Sequence, residues 1–234
     1  MSRTVPPLSV QPRTDAVPLR RSGWLLVASL PVFAAGVIAV SLNTDRFRAE
    51  QDAADRLGLS VHDLPGDVLA PIAQEHTSLW LELGVISPTI IAFALFGVGI
   101  WLVTRQAGGR GALARGAAVV AGVAWVGCMA LFLSLLAEGD AMPWVRENFP
   151  ALAKSTTAVS VIAGCLAVIA LAAHLRRLDI ARRTGLVVTA VAVLVAVLAP
   201  IPAAGGMPPA AACLLAMVIG IAMIRTRQEA RIIG

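Results

Sequence analysis

Residues 79–103 read LWLELGVISPTIIAFALFGVGIWLV, an unbroken run of 25 positions with one ionisable side chain, Glu82. An α-helix rises 1.5 Å per residue and needs about 20 apolar residues to cross a hydrocarbon core roughly 30 Å thick. The run therefore predicts a membrane-spanning helix. Working outward, comparable apolar blocks occupy 23–42, 117–136, 156–175, 186–201 and 210–224. The last two are short, so they are expected to tilt little or to thin the bilayer locally. Across all 234 residues, 58% are hydrophobic, 14% are charged and the mean hydropathy is +0.81, which argues against a water-soluble fold. The expected fold class is all-α: a polytopic membrane protein with six transmembrane helices in a bundle. A tail at 1–22 precedes the transmembrane domain at 23–224, and a second tail at 225–234 follows it.

Charge supplies the orientation. The net charge is +5, which in a soluble chain would suggest nucleic acid; here its distribution points to topology instead. Of 19 basic residues, 14 fall before the first block or in the segments after the second, fourth and sixth, among them Arg20, Arg21, Arg105, Arg110, Arg176, Arg183 and Arg225. Only Asp15, Asp179 and Glu229 accompany them, whereas the other side carries ten acids and five basic residues. Positively charged segments stay cytoplasmic. Both termini are thus expected inside, and the expected location is the plasma (inner) membrane of a bacterium.

The proline-rich tail at 1–22 has no apolar period and reads as disordered. Arg20-Arg21 and the small-x-small triplet Ala39-Val40-Ser41 imitate an export signal, but a 20-residue apolar stretch exceeds the usual 7–15 of a signal core. The first block is read as an uncleaved span. Residues 43–78 form the longest polar segment. Arg48 to Leu57 is rich in helix formers, and Leu64-Pro65-Gly66-Asp67 reads as a turn into a helix capped by Asp67. Two short helices over the outer mouth are expected, with this segment as the first choice for external contacts. A second outer loop at 137–155 places Trp144 and Phe149 at the interface, and prolines and glycines around 200–209 predict a tight outer hairpin. The glycines near Gly109 lack the Lys-Ser/Thr of a phosphate-binding loop. Small residues at four-residue spacing, Ala212/Ala216/Gly220, Ala192/Ala196, Ser160/Gly164 and Ala118/Gly122, predict helix-packing seams. No internal repeat supports an inverted-repeat transporter.

The stretch Glu75-His76-Thr77-Ser78-Leu79-Trp80-Leu81-Glu82 carries the most chemical information. On one continuous helix Glu75, Ser78, Glu82 and Thr89 share a stripe that descends into the membrane. Intramembrane acids mark proton or ion paths, and Pro88 frees the Gly84 carbonyl and favours a kink beside Glu82. Glu82, Glu75 and Ser78 are thus the candidate ion- or proton-binding residues. The competing reading leaves Glu82 solvated at headgroup level beside Trp80. His62 and His76, with Asp63, Asp67 and Glu75, are conceivable metal ligands, but their spacing matches no ligand pattern. Cys128, Cys165 and Cys213 are isolated within apolar blocks and read as small hydrophobes; His174 reads as an interfacial residue.

No nucleophile motif, Asp-rich magnesium motif or axial haem ligand is present, so no catalytic residue and no cofactor is assigned and an enzyme is not the leading reading. The leading expectation is a non-enzymatic accessory protein that engages the lipid bilayer and a membrane protein partner or a second copy, not nucleic acid. The alternatives are a small proton- or cation-coupled transporter using Glu82, and a membrane enzyme with its site in the outer segment.

Overall fold

The computed structural model describes residues 16–136, 143–200 and 209–232, and all regular structure among them is helical. The elements are α1 (Ala16–Ser41), α2 (Thr44–Leu57), a 3-10 turn (Val61–Asp63), α3 (Gly66–His76), α4 (Leu79–Thr104), α5 (Arg110–Ser134), α6 (Pro143–Glu147), α7 (Phe149–Arg177), α8 (Arg182–Leu198) and α9 (Ala210–Ile232). Four helical stretches are long and apolar enough to cross a membrane: Leu19–Ala39, Leu81–Thr104, Arg110–Ser134 and Phe149–Arg177. The remaining two apolar helices are shorter: α8 has 17 residues, and the apolar part of α9 runs from Ala210 to Arg225.

Several boundaries differ from those read off hydropathy. α1 begins at Ala16, with Pro18 in its first turn, where a missing N–H removes no intrahelical bond. Residues 1–15 of the expected tail, the first six residues of the expected outer loop, 137–142, and 201–208 of the expected hairpin lie outside the described residues. α3 starts at Gly66, one residue before the expected cap. Asp67 instead sits in the first turn, where its carboxylate accepts from the Val68 N–H at 3.0 Å and suits the positive end of the helix dipole. α7 starts at Phe149 rather than near 156, with Pro150 in its first turn. α9 continues as helix to Ile232, through most of the expected C-terminal tail.

Sequential long helices run antiparallel. α1 lies along α4 and α9, α5 along α7, and α7 along α8. Gly99 meets Leu26 and Ser22 at one end of the α1–α4 pair, while Gly36 meets Val85 and Thr89 further along. The same logic brings the α1 start beside the α9 end, where Gly23 faces Gly220 and Ile224. The helix ends bearing Arg20, Arg105, Arg110, Arg177, Arg182 and Arg225 consequently gather at one end of the bundle. The main core is aliphatic and aromatic, with Leu26, Phe33, Phe96, Ile100, Leu171 and Ile219 buried in it. Outward-facing positions are also apolar: Val119 and Val123 of α5 and Val187 and Leu194 of α8 are exposed. An apolar core wrapped in an apolar surface suits a lipid-embedded chain, since water-soluble monomers rarely expose such contiguous patches.

The small-residue seams pack within the chain. Ala212, Ala216 and Ala192 are fully buried, and Ala212 lies against Gly164. Ser160 Oγ donates to the Ala121 carbonyl at 2.9 Å, tying α7 to α5. Gly122, by contrast, faces open space.

Candidate functional site

The bundle end opposite the arginine-rich one is roofed by residues 43–77. Ala54, Leu64, Leu69 and Ala73 form a small second core with Leu135, just after α5, and Phe149 of α7. Phe149 packs edge-on against Phe132, ring centroids 5.3 Å apart; it is a core residue rather than a belt residue, while Trp144 is exposed. Gln74 Nε2 donates to the Leu135 carbonyl at 3.2 Å, and Lys154 of α7 pairs with Asp63 of the 3-10 turn. The outer segment is therefore docked on its own bundle.

Polar contacts with α4 are concentrated at Arg46. The Asn43 side chain caps α2 by accepting from the Arg46 N–H, which sets the guanidinium one turn into the helix. Arg46 Nε donates to Glu50 Oε1 at 2.8 Å and Nη1 to Glu82 Oε2 at 3.0 Å. Nη1 also lies 3.3 Å from Thr77 Oγ1. Asn43 Nδ2 reaches the His76 carbonyl at 3.2 Å. The Glu82 and Arg46 side chains are 9% and 14% exposed, so both charges are largely withdrawn from water and each depends on the other.

Glu82 is thus largely buried within protein. It occupies the first turn of α4, where a carboxylate suits the helix dipole. The stripe drawn through Glu75 and Ser78 is interrupted because the helix stops: Thr77 is extended, at φ −133° and ψ 124°, and α4 restarts at Leu79. Ser78 is its N-cap, Oγ accepting from the Leu81 N–H at 3.2 Å. Glu75 ends up in α3, largely exposed and 3.9 Å from its neighbour His76. Thr89 is buried and donates to the Ile86 carbonyl. Neither Glu75 nor Ser78 joins Glu82. His62 sits on the exposed 3-10 turn and His76 at the end of α3. Among the described residues no group of three His, Cys, Asp or Glu could hold a metal ion.

Arg46 is the partner of Glu82 that sequence reading does not single out. A signal existed: a buried acid demands a cation, and few basic residues lie in the segment that precedes α4. Among these, Arg46 alone has a glutamate four residues on and a capping Asn three residues before.

Beneath the roof is a cavity of about 660 Å³, bounded by α2, the 3-10 turn, the ends of α4, α5 and α7 remote from the arginine-rich end, and Ala199, Pro200 and Pro209 beside α8 and α9. Arg46, Glu50 and Glu82 line one wall, and Asp63 and Lys154 stand at the mouth. Ile86, Met129, Phe132 and Ala158 supply apolar walls. Trp125 also lines it, stacked on Phe93 at 5.8 Å and tilted against Phe33 at 5.7 Å; these rings fill the bundle beneath. Cys128 lines the cavity too, its Sγ 3.4 Å from Thr157 Oγ1.

Fold and site together define a class: an all-helical, membrane-embedded bundle with a roofed, partly charged cavity at one end. No protein-family model, curated protein or solved structure matches the chain, so the cavity's own chemistry has to carry the functional argument.

Proposed function

We propose that this is a six-span plasma-membrane protein with both termini cytoplasmic, in which the cavity at Glu82 is an outward-opening small-molecule site serving a cation-coupled transport cycle. The observation that carries the reading is the cavity itself: its charged wall of Arg46, Glu50 and Glu82 includes the one acid in the apolar run of α4. Buried ionisable groups at membrane depth are costly and mark substrate or ion paths. The Arg46–Glu82 pair supplies the required neutralisation at rest and gives an incoming cation a competitor to displace. Antiparallel packing that gathers the arginine-bearing ends supports six spans with those ends inside. α8 and α9 complete the bundle as short spans.

The accessory reading gains less from the geometry, because the segment held available for a partner is engaged with its own bundle through Lys154–Asp63, Gln74–Leu135 and Arg46–Glu82. The test is Glu82→Gln in proteoliposomes. Glutamine keeps the shape and Arg46 keeps Glu50, so the protein should remain folded while proton- or cation-driven uptake falls at least tenfold. Unchanged, still pH-dependent uptake by this variant would remove Glu82 from the mechanism.

A further inference from the structure

We infer that the cavity selects lipophilic monocations, a proposal that rests on the small-molecule reading above and adds the charge and shape of the ligand. The first ground is charge arithmetic. Of the residues that line the cavity, Glu50, Glu82 and Asp63 are carboxylates and Arg46 and Lys154 are cations, with His62, counted as neutral, on the 3-10 turn. Lys154 is matched by Asp63, and Arg46 is shared between two carboxylates. One negative charge is left over, on the Glu50–Glu82 pair. Glu50 and Glu82 are only 15% and 9% exposed, so water screens that surplus weakly, and a single positive charge beside Arg46 would balance it. An anion would meet an already negative wall.

The second ground is the lining. Phe47, which is exposed, and Phe132 contribute to the cavity wall, and aromatic faces attract cations, more strongly when desolvated. Small strongly hydrated ions gain little from such walls; a bulky organic cation gains both burial and π contact.

The test compares two ions of matching shape and opposite charge, tetraphenylphosphonium and tetraphenylborate, by equilibrium dialysis against the full chain in detergent. The neutral dye N-phenyl-1-naphthylamine serves as a third probe. Tetraphenylphosphonium should bind at least tenfold more tightly than tetraphenylborate. Glu50→Gln should weaken it about tenfold, and Lys154→Gln should tighten it severalfold by removing a cation from the mouth. Lys154 is half exposed, so the second variant does not depend on tolerance of a core change. Ala158→Trp, which projects an indole into the cavity from its α7 wall, should abolish binding. Equal or tighter binding of tetraphenylborate, or charge variants without effect on a signal that Ala158→Trp still abolishes, would overturn cation selection and leave the cavity reading standing. Failure of all three probes to bind, or binding indifferent to Ala158→Trp, would overturn both.

Discussion

Arg46→Met should lower the melting temperature of the detergent-solubilised protein by about 10 °C, whereas Glu82→Gln should lower it by only a few degrees. The asymmetry comes from the partner lists. Arg46 serves Glu50, Glu82 and Thr77. Removing it leaves the Glu82 carboxylate buried without a cation and beside a second carboxylate. Breaking a largely buried pair from one side costs roughly 3–5 kcal/mol, and a chain of this size loses about 2–4 °C per kcal/mol. Removing the Glu82 charge leaves Arg46 its 2.8 Å contact with Glu50, so the cost should be nearer 1 kcal/mol, that of one hydrogen bond. The double variant Arg46→Met/Glu82→Gln should recover part of the loss, because the uncompensated carboxylate is gone. Scanning fluorimetry of the three proteins checks the order; equal losses in the two single variants would mean that the pair does not hold α2 on α4.

The second large effect lies at the opposite end of the bundle. Gly220→Ala should cost about 2–3 kcal/mol, an overpacking penalty, although it adds a single methyl group. A Cβ at Gly220 would stand 2.6 Å from the Gly23 carbonyl oxygen, and one at Gly23 would stand 3.0 Å from the Gly220 oxygen. Backbone meets backbone where α1 crosses α9, and neither carbonyl can rotate away as a side chain could. Gly127→Ala provides the contrast. Nothing lies within 4 Å of its added carbon, and α5 should gain up to about 1 kcal/mol from the lower entropy of the unfolded chain. Thermal stability of both variants in the same detergent, with a fall in one and none in the other, separates helix crossing from generic helix propensity.

What the sequence discloses and what it hides follow from the range of the interactions. Local apolar runs were sufficient to find the helices that carry Glu82, Ser160 and Gly220, because hydropathy and small-residue spacing are properties of one segment. The partner of Glu82 lies 36 residues away, on a helix whose own composition is polar, and no periodicity links the two. The break at Thr77 escaped for a related reason. Without a glycine or proline at that point, Glu75 to Glu82 reads as continuous helix, and only the Ser78 cap, with the Asn43 bonds to His76 and Thr77, stops it. Phe149 looked interfacial among charged neighbours, yet Phe132 and the outer segment's small core enclose it. Sequence located the acid; tertiary contact supplied the cation and the cavity around it.

The central claim, a ligand cavity facing the outside of the cell beneath the docked outer segment, is tested most directly by sided cysteine labelling. With Cys128, Cys165 and Cys213 replaced by alanine, Ala158→Cys puts a thiol in the cavity wall and Arg110→Cys puts one at the arginine-rich end. A membrane-impermeant maleimide added to intact cells should label the Ala158 variant, and should label the Arg110 variant only after permeabilisation. Labelling in the reverse pattern, or no labelling of the Ala158 variant from either side, would contradict the account.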